Sequence, residues 1–199
     1  LMTWLGQNNT IPNVLLTGDF NTGTSSEDAY QAFVANTNAS IRFYDPINTP
    51  GNWGSNSIYA YTHTQSTRTN AENDGGSNGG LDDRFDFILA GEAMQNASST
   101  IKYVPGTYTA MGNDGNSHNE AITSSSALTS ALRTSLYMCS DHLPVYADFA
   151  FDVTVVGNRE ALAQSAGTLE MRGNPITHTL AFTPLPTPVA QCQVIDVAG

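Results

Sequence analysis

The sequence predicts an α+β fold, and three observations carry that reading. Apolar runs of strand length recur along the chain, at Val14–Leu16, Arg84–Ala90 and Leu143–Phe149. Two other segments, from Ser25 or Ser26 to about Val34 and from Ser124 to Met138, carry helix start signals or helical spacing. Polar stretches rich in Gly, Asn, Ser and Thr separate them, within a total of 17 Gly and 9 Pro, so the loops are long. Hydrophobic residues make up 40% of the 199, enough for a packed core.

The elements follow in order. Val14-Leu15-Leu16 comes after Pro12 and Asn13 and stops at Gly18, which reads as a buried strand. Ser25 or Ser26, with Glu27 and Asp28 behind, reads as the cap and acidic first turn of a helix. Residues 45–57 read as loop, and Ile58–His63 as a strand with Tyr59 and Tyr61 on one face. Residues 64–80 form a polar loop ending Gly75-Gly76-Ser77-Asn78-Gly79-Gly80. In the Arg84–Ala90 strand, Phe85, Phe87 and Leu89 face one side, and Asp86, Ile88 and Ala90 the other. Ile101–Tyr108 reads as a further short strand, and residues 112–118 as a turn-rich loop. Ala127, Leu128, Ala131, Leu132 and Leu136 give Ser124–Met138 its helical spacing. Leu143, Val145, Ala147 and Phe149 alternate with Pro144, Tyr146 and Asp148, a strand with one buried face. Residues 1–152 read as the main body and 153–170 as a linker. The tail, 171–199, is too short to build a full core of its own.

Charge narrows the function. The net charge is −11, and Lys102 is the single lysine. A basic nucleic-acid-binding module is excluded, because no Lys/Arg cluster is present to neutralise phosphates. No run of 18 apolar residues occurs, which excludes a helix crossing a membrane. Cys139 and Cys192 are too few for a disulfide framework. Cysteine poverty with abundant Asn, Ser and Thr fits an exported bacterial protein. Leu1-Met2-Thr3-Trp4 shows neither the charged nor the apolar region of a signal peptide. If the substrate is a phosphate ester, a divalent metal must do what a basic patch would otherwise do.

Three short groups place polar residues at strand ends or just inside strands: Asp19 with Asn21, Asp86, and Asp141 with His142. Asp86 lies in an otherwise apolar strand, between Phe85 and Phe87, and a carboxylate there needs a partner or a metal. His142 is the partner of choice, since an Asp–His pair fixes the imidazole tautomer and makes it a useful general base. Asp19 and Asp141 are oxygen ligands suited to Mg²⁺ or Mn²⁺, with Ca²⁺ a further candidate. The Asn21 amide can donate to a phosphoryl oxygen. Taken singly, each group has a plainer reading. Asp19 and Asn21 are turn formers. Arg84 and Asp86 could pair locally on an exposed face. Ser140–Pro144 could be a helix-to-strand turn. His118 is a loop histidine in solvent or, at the rim of the site, a residue reaching a substrate phosphate. Asp82-Asp83 reads as an acidic turn before a strand, with a place for a second cation as the alternative.

Leu16-Thr17-Gly18-Asp19-Phe20-Asn21 resembles the GDFN motif of the endonuclease/exonuclease/phosphatase superfamily, the DNase-I-like fold. Arg84-Phe85-Asp86-Phe87-Ile88-Leu89 resembles that family's R-x-D-[YF]-[IF]-L strand, and Ser140–Val145 its SDHxPV motif, in the same order. The resemblance implies a four-layer α/β sandwich of two mainly antiparallel sheets, with the active site at one edge. It implies that Asp19 orients or deprotonates the attacking water, that Asn21 holds the water or the phosphate, and that Asp86 polarises a phosphate-facing His142. Asp141 would bind the metal directly or through water. The family's first half also carries an Asn, a metal-binding Glu and a His or Tyr, and Leu1–Asn13 holds neither Glu nor His. The expectation is therefore the C-terminal half of a catalytic domain, inactive by itself. The implied activity is a metal-dependent phosphodiester hydrolase, a secreted nuclease acting on nucleic acid. Alternatives are a sphingomyelinase-like or inositol-phosphate phosphatase activity on the same site, or a non-catalytic surface-displayed binding module.

Gly173-Asn174-Pro175-Ile176, Leu180, Phe182 and Gln193–Gly199 resemble the start of a type IX secretion C-terminal sorting domain. That implies a Bacteroidetes-type source, a cell-surface or secreted location, and the outer-membrane secretion machinery as a partner of the tail.

Overall fold

The computed structural model describes residues 1–8 and 13–151. Its helices are α1 (Met2–Gln7), α2 (Asp28–Val34) and α3 (Ser130–Cys139). Its strands are β1 (Leu15–Asp19), β2 (Phe43–Tyr44), β3 (Asp86–Gly91), β4 (Ile101–Tyr103), β5 (Thr109–Ala110), β6 (Val145–Tyr146) and β7 (Phe149–Phe151). Every ladder between these strands is antiparallel: a three-stranded sheet in the order β1-β3-β2, and the pairs β4-β7 and β5-β6. The fold class is thus α+β. The expected linker at 153–170 and sorting domain at 171–199, with His178 and Cys192, lie outside the described residues.

β3 is the centre of the molecule. Phe87 and Leu89 point into an aromatic core with Leu16, Tyr30, Phe43 and Trp53. Ile88 and Ala90, on the opposite face, are buried as well, so the strand is covered on both sides. Phe87 meets Phe20 at 5.1 Å, Trp53 at 5.4 Å and Tyr30 at 5.8 Å between ring centroids, separations at which aromatic pairs attract. Arg84 threads into this core instead of pairing with Asp86. Its guanidinium binds Asp45 through two hydrogen bonds, Nη1 to Oδ2 at 2.7 Å and Nη2 to Oδ1 at 2.9 Å, and lies 4.2 Å from the Phe87 ring centroid. The planar fork and its aromatic sandwich explain how a fully buried cation is tolerated.

Several expected elements differ, each for a local reason. Among the described residues β1 is an edge strand, with Leu16 buried on one face and Leu15, on the other, 42% exposed. The α2 N-cap is Glu27 rather than Ser25 or Ser26. The Glu27 carboxylate accepts from the Gly23 and Thr24 amides, while the Ser25 hydroxyl accepts from the Gly51 amide. Ser57–Thr62 winds as a 3₁₀ helix, not a strand. The Asn56 side chain caps it at the Ile58 amide, and Asn113 holds the Ala60 and His63 carbonyls. The expected helix from Ser124 starts at Ser130, because buried Ser125 donates to the Gly112 carbonyl and Thr129 supplies the cap. β4 stops at Tyr103, ahead of a turn in which Gly106 takes φ +84°. The 143–149 alternation holds, with Leu143 buried, but the segment divides between β6 and β7, which pair with different partners.

Candidate active site

Asp19 ends β1 and Asp86 opens β3, and the two face each other across the ladder. Directly opposed residues share a sheet face, with Cβ atoms roughly 5 Å apart. The GDFN turn is held by its phenylalanine: Phe20 packs on Phe33 and Phe87, and its amide donates to the Phe85 carbonyl. Asp19 and Asn21, on either side, are left exposed. Asn21 takes the left-handed φ of +49° that Asn tolerates, and its amide donates to Asp19 Oδ1 at 2.8 Å.

His142 Nδ1–H donates to Asp86 Oδ2 at 2.7 Å across 56 residues of sequence, the dyad expected from the unpaired carboxylate. The bond to Asp86 raises the proton affinity of His142 above the usual value. Partial burial opposes this, and the charges of Asp86, Asp19 and Asp141 add to it. Three carboxylates therefore converge electrostatically on one imidazole. β1 and β3 are neighbours in one sheet, as expected. β6 instead pairs with β5 and reaches β3 only by packing against it.

The other ring nitrogen has a partner that the sequence did not single out. Gln65 Nε2 lies 2.6 Å from His142 Nε2 and 3.5 Å from Asp141 Oδ2. With Nδ1–H given to Asp86, Nε2 carries the lone pair and the Gln65 amide donates to it. Asp141 Oδ2 also accepts from the Ser77 amide at 2.7 Å, so the glycine-rich loop folds onto this carboxylate. Gly76 allows that approach, since a Cβ there would lie 3.1 Å from the Asp141 carboxyl carbon. Gly80, at φ +92°, lets the same loop pass the Asn119 backbone, where a Cβ would lie 2.3 Å from the carbonyl carbon. No spacing marks Gln65 in the sequence, because it follows an irregular segment rather than a strand.

His118 packs beside His63, and no hydrogen bond among the described residues joins it to the dyad. It is partly buried, its ring 5.5 Å from that of His63 and its Nε2 3.2 Å from Asn119 Nδ2. Fully buried His63 faces the Trp53 carbonyl at 2.9 Å and the Leu81 carbonyl at 3.3 Å, and burial lowers its proton affinity. The loop before His118 is held by Asp114, whose carboxyl is lowered to about 2 by the Ser126 amide and neighbouring donors. Asp82 accepts from the Ser55 hydroxyl, which fits the structural reading of Asp82-Asp83.

The fit to a divalent cation is incomplete. Among the described residues, no three His, Cys, Asp or Glu side chains come together as a metal-holding group. One oxygen of each candidate ligand is engaged by amide donors, Asp19 Oδ1 by the Asn21 backbone amide and Asp141 Oδ2 by Ser77 and Gln65. Neither a family model, nor a curated protein, nor a solved structure matches the chain.

Proposed function

We propose that this chain carries the C-terminal half of a DNase-I-like, divalent-cation-dependent phosphodiester hydrolase, a secreted nuclease. The observation that carries the reading is the Asp86–His142 bond, with Asp19 directly across the ladder from Asp86. Three separate motifs supply these residues, and their meeting at one sheet end is what phosphoester hydrolysis requires. Asp86 holds the imidazole by Nδ1–H and presents Nε2 to the substrate, where it holds or gives up a proton at a phosphoryl oxygen. Asp19, exposed, accepts a proton from the attacking water, and the Asn21 amide steadies that water or the phosphate. The cation would balance charge on the phosphoryl group. The resemblance of the tail supports export by a type IX route.

The test is cleavage of plasmid DNA in Mg²⁺ by the chain alone and by the longer polypeptide that contains it. The longer form should cleave and lose activity with chelator, and the chain alone should show no turnover. Chelator-sensitive cleavage by the chain alone would show that the cation site lies within these 199 residues. Cleavage by the longer form unchanged by chelator would overturn the mechanism.

A further inference from the structure

We propose that Gln65 is a substrate-contacting residue whose side-chain amide donates to a non-bridging oxygen of the phosphodiester. The proposal rests on the phosphodiester reading of the same site and adds to it the group that meets the phosphoryl charge.

The first argument is position. His142 Nε2 is the ring nitrogen that Asp86 leaves for substrate, and the Gln65 amide nitrogen stands 2.6 Å from it. A phosphodiester oxygen binds Nε2 when that nitrogen carries a proton, and the Gln65 amide, then without a lone pair to meet there, stands close enough to turn toward the same oxygen. A primary amide has two hydrogens. One can stay directed at Asp141 Oδ2, 3.5 Å away, while the other turns from the Nε2 lone pair to the arriving oxygen.

The second argument is rigidity. The strip carrying Gln65 is bonded to the one carrying His142: the Thr67 amide donates to the Asp141 carbonyl at 2.9 Å, and the Leu143 amide to the Thr64 carbonyl at 2.8 Å. On its other side, the Gln65 backbone N–H donates to the Asp83 carbonyl at 3.1 Å, and the Ser66 backbone N–H to that of Gly80 at 2.6 Å. The backbone beneath Gln65 is thus fixed relative to the dyad, as a preorganised donor must be.

The third argument is charge. The two arginines on neighbouring segments are committed elsewhere. Arg68 is buried and bonded to Asp74 and the Tyr137 carbonyl, and Arg84 is locked to Asp45. Asp19, Asp86 and Asp141 already make the site negative. A neutral amide can offer donors to an anionic phosphoryl group there without desolvating a further charge.

The experiment is a nuclear magnetic resonance titration, in Mg²⁺, of the longer polypeptide that contains this chain with dimethyl phosphate, an inert phosphodiester. It follows the Gln65 side-chain NH₂ signals and the His142 ring nitrogens, and is repeated with Gln65→Leu and Gln65→Glu. The two sets of signals should move together with one binding curve. Gln65→Leu should weaken binding about tenfold, the loss of one good hydrogen bond. Gln65→Glu, similar in shape but anionic, should weaken it further, whereas a purely structural role would tolerate Glu better than Leu. The wild-type titration needs no variant, so a Gln65→Leu protein that fails to fold leaves the proposal testable. Movement of His142 without Gln65, or variants that bind as the wild type does, overturns this proposal alone. Signals that all stay still overturn it together with the phosphodiester reading.

Discussion

Replacing Asp86 with Asn keeps an acceptor at His142 Nδ1 and removes the charge. The two side chains are 19% and 21% exposed and 2.7 Å apart, so solvent screens their interaction only in part. A hydrogen bond between such a pair contributes about 1.5–3 kcal/mol when charged, against about 0.5–1.5 kcal/mol for a neutral one. D86N should therefore cost about 1–2 kcal/mol wherever His142 carries its proton. Asp86 raises the proton affinity of His142 in the folded state. A raised folded value gives stability that is fully present below the unfolded value near 6.5 and is lost as pH rises through the folded value. The gap between wild type and D86N should thus be widest near about pH 5.5 and shrink by about pH 9. Comparing the two proteins at each pH cancels groups that shift both alike, His63 among them. Urea unfolding at the two pH values measures the gap. Equal gaps, or a wider one at the alkaline end, would refute the reasoning.

Three further outcomes follow from the packing. Asp45→Ala strands the buried Arg84 guanidinium and should cost about 3–5 kcal/mol in urea unfolding, a loss that Asp45→Glu should partly restore. Gly80→Ala puts a Cβ against the Asn119 carbonyl at a positive φ and should cost roughly 1–3 kcal/mol, with exchange protection lost at the Ser66 and Gly80 amides. His63 and His142 should titrate on opposite sides of 6.5 in one nuclear magnetic resonance series, His63 below and His142 above. The lowered value of His63 means that its contribution to stability declines as pH falls below about 6.5, and a His63 signal titrating above that value would contradict its burial as the neutral form.

The sequence revealed the site better than the scaffold. Asp86 was legible because a carboxylate between two phenylalanines is costly without a partner, and His142 was the histidine that opened an alternating strand. The plainer alternative, a local Arg84–Asp86 pair, fails because Asp86 turns to His142 and Arg84 to Asp45, 39 residues away. Tyr59 and Tyr61 carried β-propensity, but the Asn56 cap and the Asn113 amide reward a 3₁₀ turn, a tertiary effect that local pattern does not hold. Ser25 looked like a cap until the Gly51 amide claimed its hydroxyl from 26 residues away. Gln65 had no local signature at all. Its role depends on two strips of backbone lying side by side, the kind of juxtaposition that long irregular loops create and periodicity cannot show.

Whether the Asp86–His142 pair serves phosphodiester hydrolysis is tested by the initial rate of DNA cleavage in Mg²⁺ by the longer polypeptide containing this chain, with and without His142→Ala. The substitution should lower the rate by about 10²-fold or more, the usual contribution of a positioned acid–base group, while the protein stays folded. A rate unchanged by His142→Ala would show that the pair has no part in the reaction.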